Sequence, residues 1–179
     1  MAEGQKKLGQ LIALGDAFLA KHGVPDARAA AELLAARLCK CGRLDLCRHL
    51  DAVPEERIVD ALRRGLQRVA KGEPVQYVLG QWDFRKLTLK VDRRALIPRP
   101  ETELLVDLVL KSRQAREAPK PLVVDVGTGT GCIILSLAKE MGGGVFVGVD
   151  VSPEALALAR ENASFTGLGD RVLFAGSDG

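Results

Sequence analysis

Val124-Asp125-Val126-Gly127-Thr128-Gly129-Thr130-Gly131 decides the fold class of this chain. It places three alternating glycines between a short apolar run, Leu122–Val126, and a stretch of helical spacing from Cys132 to Met141. A glycine-rich turn between a buried strand and a helix lets a ligand approach bare backbone, and it offers free N–H groups at the helix start. A P-loop would need Gly-Lys-Ser/Thr here, and the string has no lysine. A dinucleotide fingerprint would need its third glycine where Cys132 stands. What remains is Asp-x-Gly-x-Gly-x-Gly, with Asp150 closing the next apolar run, Val145–Val149. A carboxylate at that strand end can accept both hydrogens of a ribose diol. The string carries no basic residue for a pyrophosphate, which fits a nucleoside cofactor without phosphate. The same residues would also serve a plain tight turn, with Asp150 as a helix-capping carboxylate.

Downstream, Ser152 caps a helix from Pro153 to about Phe165, with Glu154 in its first turn, and Val172–Phe174 reads as a third strand. Strand and helix alternate with continuous apolar strands, so the expected class is α/β with a parallel, doubly wound sheet.

Upstream, the apolar period is helical. Leu8, Leu11, Ile12, Phe18 and Leu19 mark a helix over residues 5–21, stopped by His22-Gly23. Pro25 sits as a first-turn proline for a second helix running to about Cys41, which buries Ala30, Leu33, Leu34, Leu38 and Cys41. Pro54, Glu55 and Glu56 open a third, with Ile58, Val59, Leu62, Leu66 and Val69 on its inner face and Lys71-Gly72 as its stop. These make a small bundle over residues 1–72. Val75–Val91 loses the helical period. Trp82-Asp83-Phe84 and Leu87-Thr88-Leu89 alternate as a hairpin, the core of a linker over residues 73–98. Ile97-Pro98-Arg99-Pro100-Glu101-Thr102-Glu103 is held extended by its prolines. A helix carrying Leu104, Leu105, Leu108 and Val109 follows, then a polar loop over 113–120. Residues 99–179 form the third segment.

Two strings carry a family resemblance: the glycine turn with Asp150, and Glu73-Pro74-Val75-Gln76-Tyr77-Val78-Leu79-Gly80 with Phe84 and Leu96–Glu103. The first resembles the S-adenosylmethionine pocket of Rossmann-like methyltransferases. The second, with the order of the whole chain, resembles the release factor glutamine methyltransferase family. That resemblance implies a helical substrate-recognition domain, a hairpin linker and a methyltransferase domain. The implied reaction methylates the side-chain amide of the glutamine in the Gly-Gly-Gln motif of peptide-chain release factors. It implies that Gly127, Thr128, Gly129, Thr130 and Gly131 wrap the methionine and ribose of S-adenosylmethionine. Asp125 would orient the amino end, Asp150 would hold the ribose hydroxyls, and Ser177-Asp178 and Gly179 would lie beside the adenine. Asp178 could equally be a solvated terminal acid.

The family's Asn-Pro-Pro-Tyr loop, which orients the poorly nucleophilic amide, is absent from these 179 residues. Their one asparagine, Asn162, precedes Ala-Ser. No catalytic residue is therefore assigned. The expectation is the front part of the enzyme, with weak cofactor affinity, little methyl transfer and Leu122–Val126 left as an open sheet edge. Other readings are an adenine-N6 nucleic-acid methyltransferase and a non-catalytic remnant that binds cofactor or protein. The aromatic content of 4% disfavours a base-stacking groove.

With 47% apolar and 27% charged residues the composition is that of a globular chain, not a disordered or collagen-like one. Charge is uneven. Residues 1–120 hold 23 Lys/Arg against 16 Asp/Glu, and residues 121–179 hold 3 against 7. Alternating charges on helix faces explain much of the basic excess, which also suits an acidic protein partner. Cys39, Cys41, Cys47 and His49 lack the turn spacing of a zinc site, so reduced thiols are expected and no metal. With no apolar run of membrane length and a polar first ten residues, the expectation is a cytoplasmic chain with neither membrane nor direct nucleic-acid contact.

Overall fold

The computed structural model describes residues 6–112 and 117–177. The chain divides into two compact units, Met1–Leu79 and Gly80–Gly179.

The first unit is helical. Helix α1 spans Leu8–Lys21, α2 Ala27–Leu38, α3 Glu56–Ala70 and α4 Val75–Leu79, with a 3₁₀ helix over Arg43–His49. Leu8, Ile12, Leu19, Leu34, Leu62, Leu66 and Val69 fill the core together with Ala31 and Ala35. Close approach depends on two small residues. A Cβ on Gly15 would stand 3.0 Å from a Leu66 methyl, and one on Gly65 would stand 3.1 Å from a Leu34 methyl.

Local chemistry shifts several expected boundaries. Helix α2 begins at Ala27, with Asp26 as its N-cap in the left-handed region (φ +52°), so Pro25 precedes the cap. It ends at Leu38, because Lys40 turns to φ +55° before Cys41. Leu33 and Leu38 are half-buried. The segment after Glu73 is not purely extended, since Val75–Leu79 forms one helical turn whose Val75, Val78 and Leu79 close the bundle core.

The second unit opens with an antiparallel hairpin, β1 (Gln81–Phe84) and β2 (Leu87–Lys90), paired Gln81 to Lys90 and Phe84 to Leu87. Its inward side chains, Phe84, Leu87 and Leu89, are buried in the unit's own core. Helix α5 (Pro100–Lys111) takes Pro100 in its first turn. Only Val106 of α5 is fully buried, while Leu104, Leu105 and Leu108 are exposed.

Strand β3 (Leu122–Val126), helix α6 (Cys132–Glu140), strand β4 (Val145–Asp150), helix α7 (Pro153–Phe165) and strand β5 (Val172–Gly176) follow. The sheet is parallel in the order β3-β4-β5, so the expected α/β class holds. Ile134, Leu135, Leu137, Ala138, Phe146 and Val172 lie in the core of this unit. Among the described residues β3 ends the sheet, and its Leu122, Val124 and Val126 are exposed. No helix among the described residues is long and apolar enough to cross a membrane.

Candidate functional site

Parallel pairing sets Asp125 beside Gly148 and Val126 beside Val149, so β3 and β4 finish level. Both acids of the sequence pattern therefore stand at the carboxyl end of the sheet, where open α/β sheets bind ligands. The turn between β3 and α6 bends back over β4. Val149 O accepts from both Gly127 N–H and Thr128 N–H at 2.9 Å, and Gly131 N–H donates to Thr128 O at 2.8 Å. Gly129 N–H donates to Asp150 Oδ2 at 2.9 Å. The amides of Gly127, Thr128, Gly129 and Gly131 are thus spent inside the protein, which corrects the expectation of free turn N–H groups. Anchoring the bend to β4 uses them.

The glycines do different work. Gly127 has φ +73°, and a Cβ there would meet nothing within 4 Å, so the bend is open above it. Gly131 (φ +81°) lies close beneath α6 and α7, where a Cβ would stand 3.0 Å from Leu135 Cδ1 and 3.4 Å from Ala159 Cβ. Gly129 faces Ala95, whose Cβ would lie 3.8 Å from a Cβ on that glycine.

Asp150 is half-buried. Its Oδ1 accepts from Ser152 N–H at 2.9 Å, so each oxygen holds one backbone amide and keeps a lone pair for another donor. Ser152 caps α7 by accepting from Ala155 N–H at 3.1 Å. Asp125 Oδ2 accepts from Thr128 Oγ1 at 2.7 Å. Burial holds its carboxyl above the ordinary range, opposed by the Thr128 hydroxyl and the Ile134 N–H at the start of α6, while the charge of Asp150 adds to the rise. Among the described residues no cation pairs with Asp125. A carboxylate in that condition favours an incoming ammonium group.

Thr128 and Thr130 are buried, Asp178 and Gly179 lie outside the described residues, and Ser177 N–H donates to Asp150 O at 3.2 Å. The cysteines are free: Cys39 and Cys41 are half-buried, Cys47 is exposed and Cys132 is buried. Burial pushes the Cys132 thiol up to about 11. In the helical unit a groove of about 610 Å³ runs between α1 and α3 over Leu11, Leu14, Phe18 and Val59, with Lys6, Arg63, Glu56 and Asp60 on its rim.

Sequence reasoning passed over Gly148. A Cβ there would stand 2.8 Å from Phe174 Cε1 and 2.9 Å from Thr128 Oγ1. Gly148→Ala is expected to lower stability by about 1–3 kcal/mol through overpacking, and to push Thr128 off Asp125. Urea unfolding with unchanged midpoint would contradict this.

Comparison with known proteins gives consistent matches. Residues 10–80 match the family described as PrmC N-terminal domain, and residues 120–178 match one described as Methyltransferase domain. A release factor glutamine methyltransferase of Rhodopirellula baltica is 37% identical over 163 residues, 90% of this chain and 55% of that protein. One from Chlorobaculum tepidum is 35% identical over 172 residues, 94% of this chain and 58% of that protein. One from Streptococcus pneumoniae reaches 50% identity over 97 residues, 54% of this chain and 34% of that protein. The chain spans little more than half the length of the first two relatives.

Proposed function

We propose a function from one premise: the chain joins a PrmC N-terminal domain to a methyltransferase domain and is related to release factor glutamine methyltransferases along most of its length. It binds the cofactor for a methyltransferase reaction on the Gly-Gly-Gln glutamine of peptide-chain release factors. The observation that carries this is the Asp150 carboxylate, bonded to Gly129 N–H beneath a bend that is open above Gly127.

When bound, S-adenosylmethionine supplies an electrophilic methyl group on a sulfonium. The chain's residues hold the rest of that molecule. Asp150 directs its two spare lone pairs to the ribose diol. Asp125 meets the α-ammonium, which offsets the cost of burying the carboxylate. Gly127, Thr128, Gly129, Thr130 and Gly131 shape the bend around the methionine portion, with the open side of Gly127 as the place of closest approach.

Residues 1–72 serve as the release-factor recognition domain, 73–98 as the link and 99–179 as the start of the transferase domain. None of these 179 residues is assigned the amide-orienting role, since they contain no Asn-Pro-Pro-Tyr string. The test is calorimetric titration of the 179-residue chain with S-adenosylhomocysteine. Saturable one-site binding is expected, together with no methylated glutamine when the chain is incubated with S-adenosylmethionine and a release factor. Absence of binding at millimolar ligand overturns the cofactor assignment, and a methylated glutamine overturns the division of labour.

A further inference from the structure

Asn162 is the sole asparagine of the chain, and the structure gives it a place that helix formation does not explain. It lies fully buried in α7 beside Ala159 and Ala163, where alanine would favour the helix. Its Oδ1 accepts from Lys90 N–H at 2.7 Å, and its Nδ2 donates to Lys90 O at 3.0 Å. The side-chain amide thus pairs with Lys90 as a neighbouring strand would. Nδ2 also donates to Thr130 O, in the glycine turn, at 2.9 Å. These partners leave one orientation for the amide: only Oδ1 can accept from Lys90 N–H, and only Nδ2 can serve two carbonyls.

The adjacent residue of α7 reinforces this tie. Arg94 bonds Glu161 through both terminal nitrogens, at 2.6 and 3.1 Å, and also grips Asp92. Residues 90–95 are therefore fastened to α7 at two successive positions, and Ala95 is set against Gly129.

We propose that Asn162 is a positioning residue for the cofactor turn: it locks the Thr130 carbonyl and the Lys90 strand end to α7, holding the turn in its ligand-ready bend. This rests on the reading that the bend takes S-adenosylmethionine. A bend already in its bound shape binds without losing the fraction of molecules held in other shapes.

Two readouts test it on the 179-residue chain: hydrogen exchange at the amides of Gly129 and Gly131, and the S-adenosylhomocysteine Kd. Asn162→Ala is expected to speed exchange at those amides at least tenfold and to weaken binding at least tenfold. Val172→Ala removes core volume at the amino end of β5, the end of the sheet away from the turn. It is expected to lower the melting temperature while leaving both readouts at wild-type values. If the alanine variant does not fold, Asn162→Ser, which keeps one donor and leaves room for a water, is expected to show the same changes at smaller size. Wild-type exchange in a folded Asn162 variant overturns the proposal, and so does equal loosening of the turn by Val172→Ala. If the wild-type chain fails to bind S-adenosylhomocysteine, the cofactor reading falls, while exchange still decides whether Asn162 holds the turn.

Discussion

Arg85→Gly lowers the unfolding free energy of the Gly80–Gly179 unit by about 3–5 kcal/mol, the range for removing one partner of a buried ion pair. Arg85 sits at the tip of the hairpin in the left-handed region, φ +51°. Glycine accepts that conformation freely, so the variant relieves strain and any loss comes from the side chain. That side chain is 13% exposed. Its guanidinium meets Glu140 at 2.7 and 3.2 Å, Asp107 at 2.8 Å and Glu103 O at 3.0 Å, joining the hairpin to α5 and α6. Glu140 is 8% exposed, and its other cation, Lys86, is largely in solvent. Removing Arg85 leaves the buried Glu140 carboxylate with only the solvent-exposed Lys86, at 2.9 Å, as a cation partner.

The same pair sets an acid limb. The hydrogen bonds from Arg85 hold the Glu140 carboxyl down at about 2, against the burial that opposes them, from an ordinary value of 4.5. A depressed folded value means that the stabilisation is complete above the unfolded value and fades as pH falls from about 5 towards 2. The shift corresponds to about 3 kcal/mol. Urea unfolding followed by the fluorescence of Trp82, the chain's single tryptophan, should show wild-type stability falling through that window and a much flatter profile for Arg85→Gly. Equal acid slopes in the two proteins would remove the pair from the account.

Neither Arg85 nor its partners could be picked from the sequence, because residues 85, 103, 107 and 140 come together only after the hairpin, α5 and α6 have packed. Periodicity worked where one period governs. The Gly127–Gly131 turn, the three parallel strands and the Ser152 cap fall where local chemistry put them. It placed Leu104, Leu105 and Leu108 on a helix but could not say whether a neighbour covers them, and all three are exposed. The free N–H groups expected of the turn illustrate the same limit. A turn pattern shows that amides leave the helix ladder, but not that Val149 O and Asp150 Oδ2 receive them. Asn162 was visible as a polar residue among alanines, and its two backbone partners, 72 and 32 residues away, were not.

Asp150→Ala should weaken S-adenosylhomocysteine binding at least 100-fold, more than any other single change in the bend. Two hydrogen bonds from a ribose diol to an ionised carboxylate are each worth about 1.5–3 kcal/mol. Their joint loss exceeds the 2.8 kcal/mol or so that corresponds to a hundredfold change. The acid also ties Gly129 N–H and Ser152 N–H, so part of the effect could come from a loosened bend and not from the sugar. A ligand-side deletion separates the two. For the wild-type chain, the 2′-deoxyribose analogue of S-adenosylhomocysteine should bind at least tenfold more weakly than the parent compound. For Asp150→Ala the two ligands should bind alike, because the group that tells them apart is gone. A coupling energy near zero in this cycle, with the deoxy penalty surviving in the variant, would mean that Asp150 only staples the turn to β4. The ribose would then have to be held by another group at the carboxyl end of the sheet.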